Sequence, residues 1–203
     1  MCSQFQINST TEKVALKFNV LASRNKHNLA IGKPLVRPTD TTPVITETNT
    51  ITSLKWGLQT GWGSKLIINA RAETLLKKAF FNPLVNNRCI IPVTSYYEWR
   101  KSGKSKIKTE IKLDKKNIFG FAGLHNNKNF TIITCAPHDS IKHIHNRMPV
   151  ILTDLSTQEW LSKSLSLRQY SEILIPFEED QFDIKELPEL PKPYIENQRD
   201  LFE

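Results

Sequence analysis

The second residue of the chain is the first candidate for chemistry. The sequence begins Met1-Cys2, and cysteine is small enough for methionine aminopeptidase to remove the methionine before it. The product carries a free α-amine, with an ordinary pKa of roughly 7.7–8.0, beside a thiol. Such a 1,2-aminothiol attacks an aldehyde to form an imine, and the thiolate then closes a five-membered thiazolidine ring. The alternative is an accidental cysteine at the start of an edge strand, and Cys2 taken alone does not exclude it.

A predicted strand carries the first candidate for proton transfer. In RCIIPVTSYYEWRK (88–101), strict alternation places Tyr97 and Trp99 on one face and Tyr96, Glu98 and Arg100 on the other. A carboxylate among aromatic side chains loses hydration, which raises its pKa towards the range that suits a proton carrier. A solvated strand carboxylate is the alternative for Glu98.

Two further segments hold polar side chains at short spacing. In INARAETL (68–75), Asn69, Arg71 and Glu73 alternate ahead of a helix, a pattern that helix capping also explains. In HIHNRMPVIL (143–152), His145 stands two residues before Arg147. Histidine titrates near neutral pH and suits proton transfer, although a lone surface histidine is the alternative.

The elements that must position these residues are mostly β-strands. Short strands are expected at 43–46 and 51–56, with residues 21–42 as a long surface loop. A block of five strands follows, at 88–93, 95–101, 105–113, 117–124 and 129–136. In SKIKTEIKL (105–113), apolar residues alternate with lysines and a glutamate, which is typical of a strand with one buried face.

Helices are expected in two places. ETLLKKAFF (73–81) has helical spacing, and Asn82-Pro83 should end that helix. Ser156-Thr157-Gln158-Glu159 resembles a capping box that opens a second helix. The pattern predicts an α+β fold, a single domain built on a mainly antiparallel, partly barrel-like β-sheet system with a few flanking helices.

Charge divides the chain near residue 175. Nine of the 20 acidic and three of the 28 basic residues lie in 176–203, which leaves 11 acidic and 25 basic residues, a balance of +14, in 1–175. Such a basic body favours a polyanionic partner, because lysine and arginine contacts to phosphates release condensed counterions; a solvated lysine-rich surface is the alternative. We expect a domain at 2–175 and an acidic, proline-containing tail at 176–203.

Other classes of protein fit the sequence poorly. Three cysteines, Cys2, Cys89 and Cys135, are too few and odd in number for a disulfide framework, and the last two lie in apolar strands typical of core thiols. No CxxC or HExxH spacing occurs, so no metal site and no cofactor are expected. The amino terminus lacks a signal peptide and no apolar run has membrane-spanning length, which predicts a cytoplasmic, nucleoid-associated protein.

Together these segments resemble the SRAP family, the SOS response-associated peptidases. The resemblance rests on the initial Met-Cys, followed in family order by LKWGLQTGW (54–62), NARAET (69–74), RCIIPVTSYYEW (88–99) and HNRMPVIL (145–152). It covers residues 2 to about 175. It implies the SRAP fold and a covalent bond between Cys2 and abasic sites in single-stranded DNA, formed as a thiazolidine. The sequence does not give the oligomeric state, and a monomer suits a reader of DNA ends.

The resemblance also implies a role for each matched position. Cys2 is the nucleophile for the ring-opened deoxyribose, and Asn69 holds and polarises groups around the amino-terminal cysteine. Glu98 is the acid/base that helps to open the sugar, and His145 assists imine formation and any strand-cleaving lyase step. The residues implied in DNA binding are Arg71 and Arg147 at phosphates, Trp62 stacked on a base or wedged into the strand, and the Pro38-Thr39 loop beside the site.

The sequence departs from the family pattern immediately after Cys2. The family continues Met-Cys-Gly-Arg, whereas Ser3 and Gln4 stand here. The change removes one phosphate contact that the resemblance implies. Arg24, Lys26 or Lys33 are candidates to replace it, and the sequence does not decide among them.

The tail suggests a further partner. QRDLF, with Gln198, Leu201 and Phe202, looks like the short peptide by which bacterial proteins dock on the replication sliding clamp. A tail strand packed on its own domain explains the same residues.

Three functions from different classes are compatible with these observations. The leading interpretation is an abasic-site crosslinking enzyme, with AP-lyase and autoprocessing peptidase chemistry open to the same residues. The second is a non-covalent binder of single-stranded or modified DNA. The third, an amino-terminal-nucleophile amidohydrolase, gives no reason for the basic body.

Overall fold

The computed structural model describes residues 2–21, 34–61, 63–162, 164, 167–178 and 181–188. Trp62, the candidate cations Arg24, Lys26 and Lys33, and the clamp-motif residues Gln198, Leu201 and Phe202 lie outside them, so the predictions for these residues stay predictions. The division of the chain at residue 175 also stays a prediction.

Five strands form the first sheet, in the spatial order β13-β8-β7-β1-β2. These strands are β1 (Gln4–Gln6), β2 (Leu35–Val36), β7 (Ser95–Ser102), β8 (Ser105–Leu113) and β13 (Phe182–Glu186). β8 has the predicted bounds, and its alternation buries Thr109, Ile111 and Leu113 on one face. β13, from the predicted tail, pairs antiparallel with β8.

The remaining eight strands form a second sheet, part of which closes into a barrel. They are β3 (Thr41–Thr46), β4 (Ile51–Trp56), β5 (Asn69–Arg71), β6 (Arg88–Val93), β9 (Phe119–His125), β10 (Asn129–Cys135), β11 (Met148–Pro149) and β12 (Ile151–Leu152). The order β10-β4-β3-β6-β9 returns to β10 through a β10–β9 pairing, which makes a closed five-stranded ring. Gly123 of β9 permits this close approach, since a Cβ there would lie 2.7 Å from the carbonyl oxygen of Thr131.

Aromatic side chains join the two sheets. The ring of Phe5 on β1 lies 5.1 Å from that of Trp56 on β4 and 6.3 Å from that of Phe121 on β9. Tyr96 on β7 also contacts Phe121, at 5.6 Å. Because these side chains are fully buried, the core runs continuously from one sheet into the other. The prediction of a single α+β domain on a mainly antiparallel, partly barrel-like sheet system is confirmed.

The described helices are short and differ from the predicted ones. They are α1 (Thr11–Phe18), α2 (Ala72–Leu75), a 3₁₀ helix (Ala79–Leu84), α3 (Asp154–Leu161) and α4 (Leu167–Ile173). The predicted helix at 73–81 is wrong, because α2 ends at Leu75 and Lys78 is extended before the 3₁₀ helix, which contains Pro83. The start of α3 was also mispredicted: Thr153 is the N-cap, and Ser156 completes its capping box from the third helical position.

The predicted loop at 21–42 contains regular structure. Leu35–Val36 form β2, and β3 begins at Thr41. Within the described residues, no helix is long and apolar enough to cross a membrane.

Candidate active site at the amino terminus

Cys2 lies where the two sheets meet, two residues before the start of β1. Its side chain is fully buried, and β1 is flanked by β2 on one side and β7 on the other. Cys2 therefore enters a central strand, not the edge strand that an accidental cysteine would occupy. The strand that follows Cys2 is paired on both sides, and Phe5 anchors it in the aromatic core.

The register of β1 determines the neighbours of Cys2. Gln4 pairs with Tyr97, so the same register continued by one residue brings Glu98 level with Ser3. On the other side Phe5 pairs with Val36, which places the Pro38-Thr39 turn level with the start of the chain.

The Pro38-Thr39 turn is strained. The φ of Thr39 is +78°, a value that β-branched residues rarely adopt. Two hydrogen bonds hold the turn: the Thr39 amide donates to the Trp56 carbonyl (2.9 Å), and the Asp40 amide donates to the Arg37 carbonyl (3.0 Å). Strain of this kind persists where the surrounding structure over-determines the backbone, often at ligand sites.

Asn69 reaches Cys2 from the other sheet. It begins β5, which pairs in parallel with β10, and its Nδ2 donates a 2.8 Å hydrogen bond to the carbonyl oxygen of Cys2. Its Oδ1 is also buried and, within the part of the chain that the structure describes, accepts no hydrogen bond. Asn69 therefore holds the Cys2 backbone and keeps one acceptor beside it.

Glu98 is the acid/base candidate on β7. Its side chain is 1% exposed and lies on the interior face of β7 with Tyr96, as the alternation predicted. Burial raises the pKa of Glu98 to about 7, against an opposing effect of the positive amino terminus. At neutral pH this carboxyl group can therefore both donate and accept a proton.

A cavity of about 400 Å³ brings Glu98 and His145 together beside the start of the chain. Its lining consists of Ser3, Glu98, Trp99, Lys101, Lys106 and His145. The cavity could receive a small polar group such as a sugar, because it has a mixed polar and aromatic wall.

His145 is oriented by the backbone that follows it. The amide of Arg147 donates to His145 Nδ1 at 3.0 Å. A nitrogen that accepts carries no proton, so the neutral ring carries its proton on Nε2. Burial lowers the pKa of His145, and the positive amino terminus adds to the effect. The neutral ring can therefore donate a hydrogen bond from Nε2.

The side chain of Arg147 is held by a carboxylate. Its Nη1 and Nη2 donate to the two carboxylate oxygens of Glu73, at 2.5 and 2.9 Å, and Nη2 also donates to the Thr134 carbonyl at 2.6 Å. This bond with Arg147 lowers the pKa of Glu73. The pair joins α2 to the segment that carries His145, so Arg147 supports the site as well as being a candidate for phosphate contact.

Arg71 lies on a wide groove next to Asn69. The groove has a volume of about 910 Å³. Its basic side chains are those of Lys65, Arg71 and Lys78, above an apolar floor that includes Leu66 and Phe80. Arg71 is exposed, in contrast to the half-buried Arg147.

The three cysteines share burial but not surroundings. Burial raises the pKa of Cys2 and Cys89 well above the ordinary value and that of Cys135 to about 12. Glu98 adds to the effect at Cys2. Each thiol is therefore protonated at neutral pH, and of the three only Cys2 lies beside Asn69 and Glu98. The described residues contain no group of three His, Cys, Asp or Glu side chains placed to hold a metal ion.

Sequence reasoning missed several residues of the site. Glu73 was noted, but its partnership with Arg147 spans 74 positions and leaves no local signal. Lys101 and Lys106 had a readable signal, because the turn at Gly103-Lys104 sets them opposite each other. The groove residue Lys78 was assigned to a helix surface and carried no signal.

Comparison with known proteins identifies the family of the chain. The family of SOS response associated peptidases (SRAP) matches residues 1–190. The chain belongs to the SRAP family. The resemblance predicted from the sequence motifs is thus confirmed.

Two abasic site processing proteins and one solved structure are each similar to three quarters of the chain or more. Abasic site processing protein YoqW of Bacillus subtilis (strain 168) is 35% identical over 229 aligned positions, covering 100% of this chain and 99% of the relative. Abasic site processing protein YoaM of the same organism is 38% identical over 173 positions, covering 76% of each chain. A crystal structure of a Bacteroides thetaiotaomicron protein superposes with a TM-score of 0.82 at 27% identity, covering 93% of both chains.

Proposed function

We propose that this SRAP protein processes abasic sites in single-stranded DNA by forming a covalent thiazolidine crosslink through Cys2, once Met1 has been removed. The observation that carries the proposal is the contact of Asn69 with the Cys2 backbone beside a cavity that holds Glu98 and His145. The names of the relatives, abasic site processing proteins, support the choice of substrate.

The first step is attack by the α-amine of Cys2 on the aldehyde carbon of the ring-opened sugar. The buried Oδ1 of Asn69 is placed to accept a hydrogen bond from that amine, while its Nδ2 fixes the Cys2 carbonyl. These two bonds would direct the nitrogen lone pair into the cavity. Orientation of this kind lowers the barrier by removing rotational freedom before the reaction.

Glu98 then completes a proton cycle. The protonated carboxyl group donates to the departing hydroxyl of the carbinolamine, which leaves as water and gives an iminium ion. The resulting carboxylate takes the proton from the buried Cys2 thiol, and the thiolate sulfur bonds to the same carbon. The product is a neutral thiazolidine, one water is lost, and Glu98 is protonated again. A pKa of about 7 suits both halves of this cycle.

His145 supplies a hydrogen bond at the same carbon. Its Nε2–H, fixed by the Arg147 amide on the opposite nitrogen, would stabilise the oxygen that becomes the leaving hydroxyl. If the thiol does not close the ring, the iminium is also the intermediate for β-elimination of the 3′ phosphate, the AP-lyase reaction. Autoprocessing peptidase activity ranks below crosslinking, since removal of Met1 needs no dedicated peptidase.

The groove beside Asn69 would hold nucleotides that flank the lesion. Its exposed Arg71 and lysines suit phosphates, and Phe80 offers an apolar surface for a base. Arg147, Trp62, Pro38 and Thr39 remain proposed DNA contacts. Docking of the tail on the sliding clamp is a separate prediction: Leu201→Ala and Phe202→Ala should abolish co-purification with the clamp.

The proposal is tested by denaturing gel electrophoresis. The purified chain is incubated with a single-stranded oligonucleotide carrying one abasic site, and in parallel with one carrying a tetrahydrofuran residue, which lacks the aldehyde. We expect a denaturant-resistant band with the abasic oligonucleotide only, lost in Cys2→Ala. Cys89→Ala is the matched control, because it also removes a fully buried thiol but lies away from the site, and it should retain the band.

Two results would contradict the proposal. The first is no band from protein whose Met1 removal has been verified by mass; DNA binding that survives Cys2→Ala and weakens with salt would then favour the non-covalent binder. The second is a band that persists in Cys2→Ala, which would place the bond on another residue.

A further inference from the structure

The β7–β8 hairpin carries a pair of lysines in an unfavourable arrangement. The strands are joined by the two-residue turn Gly103-Lys104, with Gly103 at a φ of +58°. The register sets Lys101 directly opposite Lys106. Like charges directly opposite each other across an antiparallel pair destabilise the sheet, so the fold itself gives no reason for the pairing.

Three other cations on the strands of this hairpin, Arg100, Lys108 and Lys112, have partners. Arg100 Nη2 lies 2.6 Å from a carboxylate oxygen of Glu186, and Lys112 Nζ lies 3.2 Å from one of Glu110. Lys108 Nζ lies 4.2 Å from the centre of the Tyr97 ring. Among the residues that the structure describes, none forms a salt bridge with Lys101 or Lys106.

Both lysines border the candidate active site. They line the same cavity as Glu98 and His145, together with Ser3, and both are exposed. The adjoining start of β1 provides no positive side chain, because Ser3 and Gln4 occupy it. Lys101 and Lys106 therefore supply the basic charge on this wall of the cavity, apart from any charge on His145.

We propose that Lys101 and Lys106 form a phosphate-binding pair for the DNA strand that carries the abasic site. The inference rests on the proposed function for its ligand. A phosphate flanking the abasic sugar relieves the repulsion between the two ammonium groups, and the pair holds the sugar over Glu98. The pair provides the cationic contact that Ser3 and Gln4 do not.

The salt dependence of non-covalent binding tests the pair. Binding of the full chain to a single-stranded oligonucleotide with a tetrahydrofuran residue is measured by fluorescence anisotropy over a series of KCl concentrations. Each phosphate contact to a single strand contributes about 0.7 to the slope of log affinity against log salt. Lys101→Gln and Lys106→Gln should each reduce the slope by up to about 0.7, and the double variant by up to about 1.4.

Two controls separate a phosphate site from a general loss of charge or folding. Lys104→Gln removes the same charge from the same hairpin tip, but Lys104 does not line the cavity, and it should leave the slope at the wild-type value. Lys101→Arg keeps the charge and should retain the wild-type slope. Unchanged slopes in Lys101→Gln and Lys106→Gln, or an equal reduction in Lys104→Gln, would overturn the proposal.

A second reaction separates failure of this pair from failure of the crosslinking chemistry. Free 2-deoxyribose offers the aldehyde without a phosphate, so its condensation with Cys2, followed by mass, should be equal in wild type and in the lysine variants. If wild type condenses with neither 2-deoxyribose nor abasic DNA, the proposed function fails. The salt-dependence slopes of the Lys101 and Lys106 variants then still test the phosphate-binding pair. If wild type reacts with both and the slopes do not differ, the lysine pair alone is wrong.

Discussion

The first sheet, with five strands, and the second sheet, with eight strands and the closed barrel (the barrel sheet), meet at Cys2. They bring different kinds of side chain to it. The first contributes the Cys2 thiol ahead of β1 and Glu98 on β7, and both residues are at most 1% exposed. The second contributes Asn69 at the start of β5 and, beyond it, the exposed Arg71. The two groups proposed to change covalent bonds or protons are thus buried where their pKa values shift, whereas Arg71, a proposed DNA contact, remains exposed to water.

This contrast predicts that substitutions on the five-stranded sheet change the chemical step most. Glu98→Gln should slow crosslinking at saturating DNA by roughly 10²–10⁴-fold, the usual contribution of a positioned acid/base. DNA affinity should change little, because Glu98 is buried. Single-turnover kinetics measure the rate, and a rate within threefold of wild type would contradict the assigned role.

The pH profile gives a sharper form of the same test. Wild type needs neutral amine, whose ordinary pKa is roughly 7.7–8.0, and protonated Glu98, whose pKa is about 7. The rate should therefore pass through a maximum between these values and fall at higher pH. In Glu98→Gln the fall should disappear, since only the amine then titrates. A profile with the same falling limb in both proteins would remove Glu98 from the proton cycle.

The same buried carboxyl should weaken the fold at alkaline pH. Folding raises the pKa of Glu98 from 4.5 to about 7. The contribution of Glu98 to the free energy of unfolding is therefore fully present below pH 4.5 and is lost as the pH rises through 7. This difference corresponds to about 3 kcal/mol. Glu98→Gln should therefore raise the free energy of unfolding at pH 8, measured by urea titration, and the gain should shrink towards pH 5. Equal gains at both pH values would contradict the linkage.

Asn69, on the barrel sheet, is proposed to orient the Cys2 amine. Its substitution should slow the reaction less than substitution of Glu98. Asn69→Leu keeps the size of the side chain but removes both hydrogen-bonding groups, and we expect a loss of about tenfold in rate, the effect of one or two hydrogen bonds. Asn69→Asp is the companion variant, because its negative charge should hold the amine protonated and move the rising limb to higher pH. A rising limb that stays in place would show that residue 69 does not contact the amine.

Loss of the ion pair between Glu73 and Arg147 should have the smallest effect on the rate. Glu73 is half-exposed, and exposed ion pairs contribute about 0.2–1 kcal/mol. Glu73→Gln should therefore slow the chemical step by at most about fivefold, with no weakening of DNA affinity. A weaker affinity with an unchanged rate would mean that the pair serves DNA binding rather than the position of His145.

Local signals explain which parts of the fold were predictable. The strands with strict alternation and clear turn residues were predicted well, and β8 had the right bounds, because period-two burial is a property of neighbouring residues. The prediction of a helix at 73–81 was wrong because the helical spacing of its residues gives no sign of the extended backbone at Lys78. Ser156 was misassigned as an N-cap because Thr153 presents the same chemistry three residues earlier.

Contacts between distant segments were beyond sequence reasoning. The closure of β10 onto β9 and the pairing of the predicted tail with β8 depend on the whole fold. At the site, Cys2, Asn69, Glu98 and His145 were named from motifs, but their meeting depends on the register of β1 and on β5. The Glu73–Arg147 pair could be recognised only in three dimensions, whereas the placement of Lys101 opposite Lys106 follows from the short turn at Gly103-Lys104 and was readable in the sequence.

The central claim is tested most directly by the mass and position of the bond to DNA. The reaction with an abasic oligonucleotide is run without a reducing agent, and the product is analysed intact and after proteolysis. The account predicts a mass equal to protein lacking Met1 plus oligonucleotide minus one water, with the added sugar on the peptide that begins at Cys2 and no free thiol there. A product that appears only after borohydride trapping, or that retains a free Cys2 thiol, would contradict thiazolidine formation.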